Sequence, residues 1–254
     1  MSSLQTHGAT TTRRIIFDAC YNVRDLGGLP RRNGTLTRHG AFVRADLLTR
    51  LTPDGIEAVR RYPVSTVIDL RRPDEIEANP NPFAGRSDLG IQHANLSMMD
   101  VTNEQVMAVD RARPPMLTWN IEMLRLAAPE IAATMTLLAQ PRQGAALFHC
   151  HAGKDRTGLV AMMLEDLADV DEAAIVDDYV QSNNFLQPVY DQILARYAVG
   201  SPERTHLEAN MPCKPVTASG TLEHLRNAHG GVAPYLRHIG VSDADIAALR
   251  ARLS

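Results

Sequence analysis

The sequence predicts a single α/β domain with a central, mostly parallel sheet, helices on both faces and a helical C-terminal half. Two apolar, partly β-branched runs, Val64–Leu70 and Ala145–Phe148, are typical of buried parallel strands and are separated by helical patterns. After Thr157-Gly158 the remaining pattern is mainly helical. A chain of 254 residues can form one large domain or two small ones, and no linker divides this one.

The N-terminal part is predicted to contain a tail followed by short strands. Residues 1–13 are polar and threonine-rich and are predicted to be disordered, so the folded domain is expected to span residues 14–254. Ile15–Phe17 predicts a short strand. Asn33-Gly34 predicts a hairpin turn before a further strand at Ala41–Arg44.

A helix and two further strands are predicted before the middle of the chain. Thr52-Pro53 is typical of an N-cap followed by proline at the first helical position, and Pro63 ends that helix. Helical patterns later show breaks at Pro114-Pro115 and at Pro129. A strand is predicted at Val64–Leu70, an irregular connection at residues 73–90 and another strand at Ile91–Leu96. The broken helical region spans residues 103–140.

Residues 145–158, with the sequence AALFHCHAGKDRTG, combine a strand, a tight loop and the start of a helix. The strand ends at His149-Cys150. Leu159, Met163 and Leu167 share one face of the helix that follows. The amides of such a loop converge on one point, where the helix dipole adds positive charge. The stretch is therefore a predicted anion-binding site.

Four residues make this predicted site reactive. Cys150 lies where the loop amides, Lys154 and Arg156 favour a thiolate at neutral pH. The Arg156 guanidinium matches two oxygens of a phosphoryl group, and Lys154, one of only two lysines among 26 basic residues, adds a compact charge. The hydroxyl of Thr157 is expected to stabilise the sulfur as it leaves. The pattern predicts phosphoryl transfer to Cys150, as in a cysteine-dependent phosphatase.

Two aspartates are candidates for the general acid. Asp69 ends one strand and Cys150 follows the end of another, so both are expected at the edge where parallel sheets bind ligands. We favour Asp69; alternatively it caps the next helix or pairs with Arg71 or Arg72. Asp155, inside the loop, is the competing candidate for donating a proton to the leaving oxygen.

The helical half begins after this loop helix. Asp171 predicts the N-cap of a long helical region that reaches Tyr197 and is interrupted near Pro188. Residues 198–216 are predicted to be a loop, and further helices follow it.

Composition excludes several function classes. A net charge of −3 gives no reason to expect a nucleic acid or a membrane surface as partner, and no apolar run approaches the ~20 residues of a membrane span. Cys20, Cys150 and Cys213 are too sparse for a disulfide framework. With no visible secretory signal, we expect a cytoplasmic protein, with non-classical export left open. No Cys/His spacing indicates a metal site, and no cofactor is expected.

The string HCHAGKDRTG resembles the phosphate-binding loop of the cysteine-based protein tyrosine phosphatases, especially the bacterial group that acts on phosphotyrosine and phosphoinositides. This resemblance implies a phosphotyrosine-phosphatase-like fold, metal-independent hydrolysis through a phosphocysteine intermediate, and a helical lid that would correspond to residues 175–212. Other segments similar to that group lie in the same order: Asn22–Gly28, Val67–Arg71, Asp178-Tyr179, Ser182-Asn183 and Tyr235–Arg250.

The resemblance also implies substrate contacts. Arg24 and Asp25 either border the active site or form a local ion pair that holds a turn. His151 stands where related proteins usually place an aromatic residue, and a lysine at Lys154 is typical of lipid phosphatases that bind multiply phosphorylated headgroups. The residues expected to bind substrate are His151, Ala152, Gly153, Lys154, Arg24 and Asp25.

Expected partners are phosphorylated proteins, lipid headgroups or small phosphorylated molecules. A phosphatase of a small metabolite or nucleotide is an alternative, because it would use the same loop. A phospho-binding module is disfavoured because Cys150, Arg156 and both candidate acids are present. A sulfur-transfer enzyme is disfavoured because its loop would not need the His-Cys entry and the Arg-Thr-Gly exit.

Overall fold

The computed structural model of the protein describes residues 12–140 and 143–254. Five strands lie within these ranges: β1 Arg24–Asp25, β2 Phe42–Ala45, β3 Val64–Asp69, β4 Gln92–Asn95 and β5 Ala145–His149. The helices are α1 Pro53–Arg61, α2 Pro73–Ala78, α3 Glu104–Ala112, α4 Met116–Leu126, α5 Ala128–Ala139, α6 Arg156–Leu167, α7 Glu172–Leu194, α8 Pro202–Asn210, α9 Pro215–His229, α10 Val232–His238 and α11 Asp243–Leu253.

The strands form one sheet in the order β1-β2-β5-β3-β4. Strands β2, β5, β3 and β4 are parallel, and only β1 pairs antiparallel, with β2. The central strand β5 is in register with β3, so that Asp69 is opposite His149 at the carboxyl end of the sheet. This confirms the predicted, mostly parallel sheet and brings the two strand ends to one edge.

Both faces of the sheet are covered. On one face Phe42 and Phe148 belong to a core that includes residues of α4 to α7 and α9 to α11. On the other face Leu147 belongs to a second core with Val59 of α1 and Phe83. These side chains are buried, and each contributes about 1.5–3 kcal/mol relative to an exposed position. The α/β domain with helices on both faces is therefore confirmed.

Several elements differ from the prediction. Ile15–Phe17 forms no strand; Arg14 makes only an isolated bridge to Arg24. Helices α2 and α8 occupy segments predicted to be irregular, and Ser201 caps α8 by accepting a hydrogen bond from the N–H of Arg204. Helix α7 continues through Pro188. A proline removes one intrahelical donor, and the buried side chains of Leu186 and Tyr190 hold the helix on both sides of Pro188.

The predicted N-terminal tail falls mostly outside the described residues, so its disorder stays a prediction for residues 1–11. Arg13, however, is held in place. Its Nε donates to the carbonyl of Asp25 at 3.1 Å, and its guanidinium also pairs with Asp178. Specific contacts therefore begin within the predicted tail. In the described part of the chain, no helix has the length and apolar character needed to cross a bilayer.

Candidate active site

The predicted anion site lies at the carboxyl end of β5 and at the start of α6. We call residues 150–156 the P-loop. Cys150 follows the strand directly and is 3 % exposed, and Arg156 is the first residue of α6. The strand, loop and helix of the sequence prediction are thus present, with the helix N-terminus directed at the loop.

Gly153 allows the P-loop to pack against the end of β2. Its φ is +65°, and a Cβ atom there would lie 2.4 Å from the carbonyl oxygen of Ala45. Both conditions exclude a larger side chain, because positive φ is strained for other residues and the space is already filled. Gly153 thus contributes to the site through its backbone.

The carbonyl groups of the P-loop are held by side chains behind it. Asn22 Nδ2 donates to the carbonyls of Ala152 and Gly153, each at 3.0 Å, and Arg44 Nη2 donates to Gly153 at 2.9 Å. Among the described residues, none accepts a hydrogen bond from the backbone N–H groups of residues 151–155. The carbonyl groups thus form hydrogen bonds outside the loop, and the N–H groups have no protein partners. The N–H groups are therefore available to bind an anion.

A buried ion cluster supports these contacts and corrects the prediction for Arg24. Its guanidinium is fully buried and donates to Asp178 Oδ1 at 2.9 Å and to Asn22 Oδ1. Arg44 Nη1 donates to Asp178 Oδ2 at 2.6 Å. Burial opposes ionisation of Asp178, but Arg24, Arg44 and Arg13 hold its pKa well below the usual range. Arg24 therefore positions Asn22 behind the P-loop, and the prediction that it binds substrate is wrong.

Asp25 is also a structural residue. Its carboxylate accepts hydrogen bonds from the N–H groups of Gly27 at 2.6 Å and Gly40 at 2.7 Å, and from the hydroxyl of Tyr62. It is 1 % exposed. Asp25 holds its turn, as one of the two predicted alternatives stated, but through these backbone and hydroxyl donors and with His39 Nδ1 at 3.8 Å, not through an ion pair with Arg24. Among the described residues it makes no hydrogen bond to the P-loop, so the structure gives no support to its predicted role in substrate binding.

Arg156 has a fixed orientation. Its Nη1 and Nη2 donate to the two carboxylate oxygens of Glu75 at 2.6 and 3.0 Å, and Nη1 also donates to the carbonyl of Leu70 at 3.4 Å. Burial lowers the pKa of Arg156, but Glu75 and the nearby Cys150 outweigh burial and raise it. In the described structure Nε–H and one Nη2–H have no acceptor, and this parallel pair matches two oxygens of a phosphoryl group.

The structure contradicts our preference for Asp69 as general acid. Asp69 is fully buried and accepts hydrogen bonds from Arg71 Nη2 at 2.6 Å and Asn81 Nδ2 at 3.0 Å. Burial opposes its ionisation, but His149 and the bonds from Arg71 and Asn81 outweigh burial and lower its pKa to about 2. The group is ionised at neutral pH and enclosed, so the alternative reading, a pair with Arg71, is correct.

Asp155 has the properties that Asp69 lacks. It is the N-cap residue of α6 and lines a cleft together with Lys154 and Arg156. Its Oδ1 is buried and has no hydrogen-bond partner among the described residues. Burial raises the pKa of Asp155, although Lys154, Arg156 and Arg44 oppose the rise. A carboxyl group that faces a cleft and holds its proton to higher pH is suited to proton donation.

Comparisons with known proteins identify the family of the chain. A sequence profile described as the tyrosine phosphatase family matches residues 15–254. The chain belongs to the tyrosine phosphatase family. It is therefore a phosphoric monoester hydrolase, as the sequence predicted. A tyrosine-protein phosphatase of Nostoc commune is 32% identical over 230 residues, which cover 88% of this chain and 78% of the relative. The triple specificity protein phosphatase PtpB of Mycobacterium tuberculosis is 25% identical over 268 residues, which cover 91% and 95%.

The cleft beside the P-loop of the phosphatase has a volume of about 390 Å³. Met99, Met116 and Trp119 form an apolar part of its lining, and Arg72 and Arg113 add positive charge. Trp119 is 7 % exposed, so most of its side chain belongs to the core although it also lines the cleft. The α8 side of the cleft is formed by His206, Leu207, Asn210 and Met211.

Two predicted substrate-binding residues of the P-loop lie in different environments. Lys154 lines the cleft with its side chain 12 % exposed, and its Nζ donates to the carbonyl of Met211, just beyond α8. His151 is not among the residues that line the cleft; its side chain is 64 % exposed, with Nδ1 3.9 Å from Glu75. Lys154 thus connects the P-loop to the end of α8, while His151 faces solvent.

Glu75, the partner of Arg156, was not identified from the sequence. It lies in α2, where the abundance of Pro, Asn and Gly around residues 73–90 suggested an irregular connection. The available signal was Pro73 followed by two acidic residues, which is typical of the first turn of a helix. Its carboxylate also accepts the N–H of Arg72 at 3.0 Å, so one residue caps α2 and orients the P-loop arginine.

Proposed function

We propose that this tyrosine phosphatase acts through Cys150 as nucleophile and forms a phosphocysteine intermediate. The observation that carries the proposal is the P-loop itself, with carbonyls held by Asn22 and Arg44, amides left without protein acceptors, and two donors of Arg156 available beside Cys150. These donors would bind the three non-bridging oxygens and stabilise the charge that develops on them.

The proposed reaction has two displacements. The Cys150 thiolate forms a bond to phosphorus, and the bond from phosphorus to the leaving oxygen breaks as Asp155 protonates that oxygen. In the second step water attacks phosphorus, gives a proton to Asp155, and the sulfur–phosphorus bond breaks to return the thiolate and inorganic phosphate. The raised pKa and unpartnered Oδ1 of Asp155 support this double role.

Thr157 is proposed to stabilise the departing sulfur. Its hydroxyl oxygen is buried and has no hydrogen-bond partner among the described residues. It lies in the first turn of α6, next to Arg156. A hydroxyl with a free hydrogen near the thiolate would make sulfur a better leaving group in the second step.

The proposed substrates are phosphotyrosine and phosphomonoesters with a second anionic group, such as phosphoinositides. The apolar lining by Met99, Met116 and Trp119 is suited to an aromatic ring, and Lys154 provides a second positive centre. The relative from Mycobacterium tuberculosis is named a triple specificity phosphatase, which is consistent with a broad range. Lys154 would have to exchange the carbonyl of Met211 for a substrate anion.

We also propose that residues 175–212 cover the active site. Support comes from α8, whose residues form one side of the cleft, and from the bond between Lys154 and Met211. Substrate that displaces this carbonyl would release the end of α8 from the P-loop, which couples binding to movement of the cover.

The test is phosphate release by the purified full chain from phosphotyrosine, phosphoserine, phosphoinositide and nucleotide substrates. Cys150→Ser is expected to abolish turnover while inorganic phosphate still binds, because the amides and Arg156 remain. Rapid quench of the wild-type enzyme with labelled substrate in a denaturing detergent at alkaline pH, where the acid-labile sulfur–phosphorus bond survives, should trap phosphate on Cys150. Turnover by Cys150→Ser within about tenfold of wild type, or no covalent phosphate, would contradict the mechanism, and preference for the nucleotides would favour a metabolite phosphatase.

A further inference from the structure

A buried chain of hydrogen bonds leads from Asp69 to the backbone of Cys150. Asn81 Nδ2 lies 3.0 Å from Asp69 Oδ2 and 2.9 Å from His149 Nε2. His149 Nδ1 lies 2.9 Å from the carbonyl oxygen of Cys150. Asp69 and His149 are fully buried, and Asn81 is 3 % exposed. No water-exposed group intervenes in this chain, so each contact has to be satisfied by the protein.

The orientation of the Asn81 amide follows from two further partners. Its Oδ1 accepts the backbone N–H of Phe83 at 3.1 Å, which requires an oxygen at that position. The other polar atom of the Asn81 amide faces the Asp69 carboxylate, which also accepts a hydrogen bond from Arg71. Because the ionised carboxylate can only accept, that atom of Asn81 has to be a donor. The nitrogen of the amide therefore points at Asp69 and His149. It donates one hydrogen to the Asp69 carboxylate and the other to the ring of His149.

The proton on His149 is then assigned by elimination. A carbonyl oxygen only accepts, so Nδ1 carries the hydrogen that reaches Cys150. Nε2 faces a hydrogen of Asn81, so it presents its lone pair and carries no proton. The charged and titratable groups near the ring are Asp69, Arg71 and His93, and the nearest carboxylate oxygen is 3.5 Å from Nε2. A proton on Nε2 would point at the Asn81 amide hydrogens.

We propose that Asn81 is a positioning residue, which holds His149 in the neutral tautomer with the proton on Nδ1 and thereby fixes the carbonyl of Cys150. The proposal rests on the proposed function in one respect, that Cys150 is the nucleophile. Asn81 is not a catalytic residue, since it touches neither the cleft nor the sulfur, and its action passes through His149.

The peptide plane gives this contact a chemical consequence. The carbonyl of Cys150 and the N–H of His151 belong to the same peptide group and point in opposite directions in a trans peptide. Fixing the carbonyl on the His149 side directs the N–H of His151 to the other side, into the P-loop. Asn81 thus aims the first amide of the anion site from a segment about seventy residues earlier in the chain.

The first test is nitrogen NMR of the full chain with ¹⁵N-labelled histidine, with His149 assigned from the resonance lost in His149→Gln. In wild type, Nδ1 is expected to be protonated and Nε2 unprotonated between about pH 6 and 8. Asn81→Leu would remove the donor that faces Nε2, and a proton is expected to appear there because the Asp69 carboxylate lies 3.5 Å away. A proton on Nε2 in wild type, or a ring insensitive to Asn81→Leu, would overturn the proposal.

The second test compares activity and does not depend on the first. Asn81→Leu keeps the side-chain volume but removes the hydrogen bonds, and is expected to lower kcat/KM roughly tenfold. The control is Asn95→Leu, since Asn95 donates to the carbonyls of Asp69 and Arg71 but makes no hydrogen bond to His149 among the described residues. Equal activity of the two variants at equal Tm would refute a positioning role.

The activity of Cys150→Ser and the NMR spectrum of His149 distinguish a failure of the proposed function from a failure of the positioning role of Asn81. If Cys150→Ser remained active, the nucleophile would be wrong, while the tautomer of His149 would still be read directly from the NMR spectrum. If Cys150→Ser were inactive but the spectrum of His149 did not respond to Asn81→Leu, only the positioning role would fail. The spectrum of the wild-type enzyme needs no substituted protein beyond the assignment variant, so a misfolded Asn81 variant would not block the test.

Discussion

Arg156 and Glu75 form a bidentate ion pair, in which Nη1 and Nη2 of the arginine lie 2.6 and 3.0 Å from the two carboxylate oxygens of the glutamate. The residues are 81 positions apart in the chain and both are largely buried, with side chains 13 % and 18 % exposed. The pair uses one edge of the guanidinium and leaves the Nε edge for the phosphoryl group. Removing one partner of such a pair also leaves the other charge uncompensated.

Glu75→Gln is therefore expected to lower kcat/KM by roughly 10- to 100-fold, because charge-assisted bonds that orient Arg156 are weakened. Glu77→Gln is the matched control, since Glu77 lies on the same helix α2 but is exposed. Steady-state kinetics on an aryl phosphate and the affinity for inorganic phosphate measure the effect. If the two variants lost equal activity, Glu75 would have no role in orienting Arg156.

Asp155→Asn is expected to reduce the rate about 10²–10⁴-fold for substrates with poor leaving groups and much less for good ones. Because burial raises the pKa of Asp155, the wild-type rate should fall as pH rises through that value, and this alkaline limb should vanish in the variant. Rates across a series of leaving groups at several pH values measure both effects.

Asp69→Asn serves as the comparison for that prediction. It removes the charge that compensates Arg71 and is expected to destabilise the fold by about 3–5 kcal/mol. Its activity per folded molecule should show no added dependence on the leaving group. Such a dependence in Asp69→Asn, together with none in Asp155→Asn, would reverse the assignment of the acid.

Lys154→Met is expected to reduce activity on a multiply anionic substrate roughly 10- to 100-fold more than on a singly charged aryl phosphate, because it removes a charge-assisted contact. Lys214→Met is the control, since it removes the other lysine of the chain, which is exposed at the start of α9. Parallel assays on a phosphoinositide and on a nitrophenyl phosphate give the ratio. Equal losses on both substrates would make Lys154 a stabiliser of the P-loop and α8 only.

Glu165→Gln is expected to stabilise the protein as pH rises. Glu165 is buried on α6 with no hydrogen-bond partner for either oxygen among the described residues. Burial and the charge of Asp178 raise its pKa well above the ordinary value of 4.5, although Arg44 opposes this. The folded state then holds a proton that the unfolded state releases, so wild-type stability falls above that ordinary value by up to about 1.4 kcal/mol per pH unit.

Urea unfolding at a series of pH values measures this effect. Glu165→Gln should match wild type at acidic pH, where both states are protonated, and exceed it increasingly at neutral pH. The exposed Glu223→Gln on α9 is the control and should show no such divergence. Parallel curves for wild type and Glu165→Gln would show that Glu165 is ionised in the folded protein.

The sequence by itself determined the fold class, the enzyme class and the candidate nucleophile loop. Strands β3 and β5, helix α1 and the Cys150 loop are encoded by short stretches of adjacent residues: apolar runs, an N-cap with proline, and the HCHAGKDRTG string. Such signals can be read locally because backbone geometry depends on near neighbours. Helices α2 and α8 had local signals too, but the surrounding prolines and glycines obscured them.

Only the tertiary structure decided which charged residues are partners. Asp69 and Asp155 are the same residue type near the same edge of the sheet, yet Arg71 and Asn81 enclose the first while the second faces the cleft. For Arg24 the sequence leaves two roles open, a position at the border of the active site or a local ion pair, but its ion partner is Asp178, more than 150 positions away. The chain has 26 basic and 29 acidic residues, and nothing in the sequence indicates which of them pair with each other. Pairing and protonation depend on burial and on the distances between charges, and these are set only when the chain folds.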